Sequence, residues 1–241
     1  MPSDKLDLVK LNKEFEKSSA VALLQWAHKV FKDRLALASS FGAEDVVLID
    51  LLMKTDPKVR IFTLDTGRLN EETYEVMDAI RAKYGVRIEA YFPKLDAVES
   101  LERGKGFYSF RESVENRKEC CGLRKVEPLW RALRDTDAWI TGLRRGQAVT
   151  RTHTDKIEAD EAHPGLYKIN PIADWSEEDV WGYIKKNGVP YNRLHDAGYR
   201  SIGCAPCTRA VKEGEDVRSG RWWWENPEHK ECGLHVKPKK P

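Results

Sequence analysis

Five cysteines carry the first chemical signal. Cys120 and Cys121 are adjacent, Cys204 and Cys207 form a C-x-x-C pair 83 positions later, and Cys232 stands alone near the C-terminus. Four thiolates brought together by a fold suit a tetrahedral structural zinc or an iron–sulfur cluster, with buried or redox-active thiols as a third reading. The spacing leans toward the cluster. Zinc sites typically use two C-x-x-C-like knuckles, whereas adjacent cysteines on a helix project about 100° apart and fit separate corners of a larger cubane. Cys232, flanked by Lys230 and His235, reads either as an incidental surface thiol or as a nucleophile whose pKa those neighbours lower.

Three further stretches have the residue types of an anion or nucleotide site. In Ser39-Ser40-Phe41-Gly42-Ala43-Glu44-Asp45, two hydroxyls, a glycine and the unpaired N–H groups of a helix start suit an anion. An ordinary N-cap is the plainer reading. No G-x-x-x-x-G-K-[ST] loop occurs, which argues against nucleotide hydrolysis of the P-loop kind. In Leu64-Asp65-Thr66-Gly67-Arg68, Asp65 is a candidate acceptor for ribose hydroxyls and Arg68 a candidate anion partner, or the segment is simply a tight turn. Arg144, Arg145 and Arg151 follow Thr141-Gly142, and three guanidiniums within eight positions match phosphate or sulfate oxygens unless they form a solvated turn.

The elements that must position these residues follow from periodicity. Residues 17–32 read as a packing helix capped at Ser18-Ser19, 35–40 as a buried strand, 44–54 as a helix, 59–64 as a strand, 70–83 as a helix and 86–92 as a strand. A helix is expected over 121–133, a strand over 138–141, and a helix capped by Ser176 with Asp179 at N3, ending at Gly188. Strands alternating with helices predict an α/β fold, a mainly parallel sheet with helices on both faces, whose ligand crevice lies beyond the carboxyl ends of the strands. All three candidate loops fall there.

Composition bounds the class. The chain has 241 residues and a net charge of +2, too little for a broad nucleic-acid-binding face. No apolar run approaches the roughly 18 residues of a membrane span, and the first ten residues lack a signal-peptide centre, so a cytoplasmic protein is expected. An odd cysteine number speaks against a disulfide framework. The length fits one domain or a domain with an appendage, here divided into 1–207, with N-terminal helices over about 1–32, and a C-terminal segment, 208–241, of shifted composition.

Together the motifs resemble the assimilatory sulfonucleotide reductases, specifically the iron–sulfur type that reduces adenosine 5′-phosphosulfate with thioredoxin. The resemblance spans about Leu35 to His235 and adds Cys120-Cys121-x-x-Arg124-Lys125, Cys204-Ala-Pro-Cys207-Thr208, Gly220-Arg221-Trp222-Trp223-Trp224-Glu225 and Glu231-Cys232-Gly233-Leu234-His235 to the three loops. It implies an adenine nucleotide alpha hydrolase-like fold and a [4Fe–4S] cluster on Cys120, Cys121, Cys204 and Cys207. Cys232 would attack the sulfate sulfur, and thioredoxin would release sulfite, in sulfate assimilation and cysteine biosynthesis. Ser39, Ser40, Phe41, Gly42, Asp65, Thr66, Gly67, Arg68, Lys125, Arg144, Arg151, Arg218, Arg221 and His235 would surround the substrate. Lys125, one helical turn after Cys121, would lie between cluster and substrate. Residues 208–241 would act as a lid carrying the nucleophile, with Trp222–Trp224 anchoring it or merely packing.

Other readings stay open at this stage. The substrate with a 3′-phosphate is not distinguished from the one without, and a homo-oligomer is open. ATP-dependent adenylation, as in related enzymes that thiolate tRNA, would keep the fold, but the bulky Phe41 leaves little room for a triphosphate. A zinc-stabilised binding module would leave Cys232 and the arginine-rich turn without a role.

Overall fold

The computed structural model describes residues 6–147 and 151–226. Its centre is a six-stranded sheet built from β1 (Leu35–Ala38), β2 (Arg60–Leu64), β3 (Ile88–Tyr91), β4 (Ala138–Ile140), β5 (Ile157–Ala159) and β6 (Tyr167–Ile169), in the order β3-β2-β1-β4-β6-β5. Every pairing is parallel except β5 with β6. In register, Leu37 lies between Ile61 and Ile140.

Strand alternation sends successive side chains to opposite faces. Leu35 and Leu37 enter the main core, with α2 (Ala20–Phe31), α3 (Ala43–Thr55) and α8 (Glu177–Asn187), while Ala36, Phe62 and Trp139 meet Leu129, Ala132 and Leu133 of α7 (Glu127–Leu133) on the other face. Helices therefore cover both faces, as the alternation predicts. α3 carries the crossover from β1 to β2, and α4 (Glu71–Tyr84) the one from β2 to β3. The chain leaves β1 toward β2 on one side, with β4 on the other, so the strand order reverses beside β1. That point is where a parallel α/β sheet opens a crevice.

The α8 start is as expected: Ser176 Oγ accepts from Asp179 N at 3.0 Å, Asp179 accepts from Ser176 N at 2.9 Å, and Gly188 ends the helix in the left-handed conformation. The single helix expected over 121–133 is instead three pieces, α6 (Val114–Cys121), a π-helical turn Gly122–Val126, and α7. Pro128 has no N–H to give the carbonyl four residues back, and Glu127 N instead reaches Gly122 O, five residues back. Helix α1 (Leu8–Phe15) falls within the N-terminal helices expected over about 1–32, whereas helix α5 (Leu95–Lys105) and the three-residue strands β5 and β6 were not legible in the sequence pattern.

Candidate active site

A cavity of about 480 Å³ opens at the carboxyl ends of β1, β2 and β4. Of the residues singled out from sequence, Ser39, Ser40, Gly42, Thr66, Lys125, Arg144, Arg151, Arg218 and Arg221 line it. Phe41, Asp65, Gly67 and Arg68 do not. Cys232 and His235 lie outside the described residues.

The first loop is held open by its own hydrogen bonds. Ser39 Oγ accepts from Phe41 N at 3.1 Å, and Phe41 takes a left-handed φ of 58°. Ser40 donates from both N (2.6 Å) and Oγ (2.8 Å) to Asp45 Oδ2. Burial pushes the Asp45 carboxyl up to about 6, although those two bonds pull it down. Phe41 is fully buried in the main core, so its side chain does not narrow the cavity, and the argument against a triphosphate built on its bulk does not hold. Facing the loop, Gly142 comes so close to α3 that a Cβ there would stand 2.6 Å from Asp45 Oδ1 and 2.9 Å from Glu44 Cβ. That approach brings Arg144 to Glu44, with Nη2 at 2.7 Å and Nε at 3.0 Å from Oε1.

In the turn after β2, Asp65, Gly67 and Arg68 do not line the cavity, although Thr66 does. Asp65 accepts from Gly67 N and from the Tyr74 hydroxyl, and burial with this contact raises the Tyr74 pKa to about 12. Arg68 and Arg124 converge on Glu102 Oε1 at 2.7 and 2.5 Å, and Arg124 also donates to Thr66 O. Ala205 N donates to Arg68 O at 2.8 Å, so this turn is fastened to the C-x-x-C pair.

A second, smaller cavity is lined by Cys120, Cys121, Cys204 and Cys207 together with Arg68, Arg124, Lys125, Arg221 and Trp222. The fold therefore brings both cysteine pairs to one cavity. Lys125 lines both cavities. Burial drives the Cys204 thiol up, but Lys125, a hydrogen bond with Thr66 and Arg221 outweigh it, and the net shift is downward. Cys207 is pushed up to about 12 by burial and by its cysteine neighbours. Arg124 Nε, Arg221 Nε and Trp222 Nε1 are buried without a hydrogen-bond partner among the described residues. Three donors beside four sulfurs fit a group that carries its own acceptors, such as the sulfides of a cluster. Among the described residues, no group of three or more His, Cys, Asp and Glu side chains stands placed to hold a metal ion.

Sequence reasoning missed one wall of the larger cavity, where Trp181, Lys185, Tyr191, His195 and Arg200 come from α8 and the loop after it. His195 Nε2 is buried without a hydrogen-bond partner among the described residues, and burial lowers that ring's pKa. Nothing local marks these positions, because the parallel pairing of β4 with β6 is what brings the loop to the crevice. Trp222 and Trp224 pack against the cysteines, while Trp223 is partly exposed.

A family model described as the phosphoadenosine phosphosulfate reductase domain matches residues 34–210. The adenosine 5′-phosphosulfate reductase of Allochromatium vinosum is 55% identical over 203 residues, 84% of this chain and 79% of its own. That of Burkholderia cepacia is 52% identical over 204 residues, 85% and 81% respectively. Among solved structures, the phosphoadenylyl-sulfate reductase of Candida auris in a phosphate complex superposes with a TM-score of 0.74 at 33% identity, covering 87% of this chain and all of that one.

Proposed function

The chain belongs to the phosphoadenosine phosphosulfate reductase family, and from that premise we propose that it reduces adenosine 5′-phosphosulfate to sulfite and AMP at the expense of thioredoxin, as a step of sulfate assimilation. The observation that carries this reading is Lys125, which lines both the larger, arginine-rich cavity and the cysteine cavity.

In the first step the Cys232 thiolate attacks the sulfate sulfur, the bond from that sulfur to the bridging oxygen breaks, and AMP leaves with the electron pair. Cys232 is then an S-sulfocysteine. A thioredoxin thiolate attacks its Sγ and expels sulfite, and the second thioredoxin thiol resolves the mixed disulfide, so the nucleotide's sulfur gains two electrons and thioredoxin loses them. A thiolate approaching a phosphosulfate meets like charge, and Lys125, Arg144, Arg151, Arg218 and Arg221 around the cavity offset it. Ser39, Ser40 and Gly42 at the α3 start offer donors to the anion, and Thr66 borders the nucleoside. Asp65, Gly67 and Arg68 support that turn from behind, and His235 remains a proposed donor beside Cys232 in residues 208–241.

Cys120, Cys121, Cys204 and Cys207 would hold a [4Fe–4S] cluster, with Arg124 Nε, Arg221 Nε and Trp222 Nε1 as its hydrogen-bond donors. When bound it supplies fixed charge beside Lys125 rather than electrons. The identity to relatives named for the unphosphorylated nucleotide favours that substrate over its 3′-phosphorylated form. The test is sulfite formation with reduced thioredoxin and each nucleotide in parallel. Faster turnover of the unphosphorylated one is expected, and absence of sulfite with both would overturn the assignment.

A further inference from the structure

One side chain closes the arginine-rich turn. Gln147 ends the short 3₁₀ turn Arg145–Gln147, and its amide is used at both ends. Nε2 donates to Gly142 O at 3.0 Å, while Oε1 accepts from Arg144 N at 3.1 Å and from Arg151 Nη1 at 2.5 Å. Gly142 presents an acceptor and the two arginines present donors, so a single orientation of the amide serves all three. A carboxylate at this position would lack the donor for Gly142 O, a cationic side chain would lack the acceptor for the arginines, and Asn would be a methylene short.

The three arginines that follow Gly142 part company in space. Arg145 turns to Glu16, with Nη1 and Nη2 at 2.7 and 2.9 Å from its two oxygens, and does not line the larger cavity. Arg144, Gln147 and Arg151 do line it. The Arg144 guanidinium is fixed by the Glu44 carboxylate of α3, an anchor separate from Gln147. The Arg151 guanidinium is tied to the Gln147 amide, whose oxygen is neutral and so orients the cation without cancelling its charge. A long side chain loses much rotamer freedom when it clamps an anion, and a hydrogen bond that holds it beforehand spares that loss.

We propose that Gln147 is a positioning residue for the anionic end of the nucleotide: its amide holds the Arg151 guanidinium in the cavity before the ligand arrives, and its bond to Gly142 O fixes that holding point against α3. The group it serves is a 5′-phosphate or phosphosulfate. The proposal rests on the reading of this cavity as a sulfonucleotide site.

Calorimetric titration with AMP of the parent, Gln147→Met, Arg151→Ala and the double variant tests it. Met keeps the length of the stem and makes none of the three bonds. Gln147→Met is expected to weaken AMP binding by about tenfold. Arg151→Ala should weaken it by a similar factor, with Lys125, Arg144, Arg218 and Arg221 still lining the cavity. In the Arg151→Ala background the effect of Gln147→Met should shrink below about twofold, because the side chain it acts through is gone. A merely structural role would keep its full effect there. Gln147→Asn should fall between the parent and Gln147→Met, and carries the same cycle if Gln147→Met does not fold. Equal losses with and without Arg151 overturn the proposal. A parent chain that binds no AMP overturns the nucleotide reading of the cavity and this proposal with it, whereas AMP binding that the Gln147 variants leave unchanged overturns this proposal alone.

Discussion

Thr66 Oγ1 stands 3.3 Å from Cys204 Sγ, joining the turn after β2 to the C-x-x-C pair across 138 positions of chain. The same hydroxyl accepts from Arg68 N at 3.2 Å. Thr66 lines the larger cavity while its hydroxyl reaches Cys204, which lines the smaller one, so this turn, like Lys125, joins the two. Thr66→Val keeps the shape and removes both bonds. With the turn buried, the expected cost is about 1–2 kcal/mol in urea unfolding, and an unchanged midpoint would show that the hydroxyl holds nothing.

Lys125 tests the link between the cavities. Lys125→Ala removes a cation that lines both cavities and that lowers the Cys204 pKa, but it removes none of the four cysteines. Turnover should fall by about a hundredfold, the usual cost of deleting one preorganised charge, with the iron content intact. Steady-state sulfite release and an iron assay together decide it.

Gly142 sets the closeness of the arginine-rich turn to α3. A Cβ there would lie 2.6 Å from Asp45 Oδ1, so Gly142→Ala must push the turn away from α3 and pull Arg144 off Glu44. Overpacking of this kind costs about 1–3 kcal/mol. A lowered thermal midpoint and weakened AMP binding are expected together, and a midpoint equal to the parent's would contradict the close approach.

Asp45 gives stability a pH dependence of definite sign. Its folded pKa, about 6, lies above the ordinary 3.8, so between those values the folded chain holds a proton that the unfolded chain has released. Its contribution is therefore favourable below pH 4 and is lost as the pH rises toward 6, by about 2–3 kcal/mol. Asp45→Asn keeps an acceptor for Ser40 and should flatten this part of the stability curve. Urea midpoints of both proteins between pH 4 and 7 test it, and parallel curves would refute the assignment.

The sequence made the parallel sheet legible because strands such as 35–40 and 59–64 are short apolar runs separated by amphipathic helices of regular length. The capping box at Ser176 and Asp179 is a local signal and was readable for the same reason. Local pattern fell short at 121–133, where a π-helical turn, Gly122–Val126, lies just before Pro128 inside what reads as one helix. It failed also for Asp65 and Arg68, whose types suit a nucleotide while their partners, Tyr74 and Glu102, turn them toward the scaffold. The Trp181–His195 wall and the Arg117–Glu225 pair join residues 14 and 108 positions apart, the latter on no periodicity at all.

The central claim is that Cys232 is the nucleophile. Anaerobically purified protein mixed with adenosine 5′-phosphosulfate, without thioredoxin, and analysed by mass spectrometry should carry one S-sulfonate on the peptide containing Cys232, with AMP released in equal amount. AMP release with Cys232 unmodified would contradict the account.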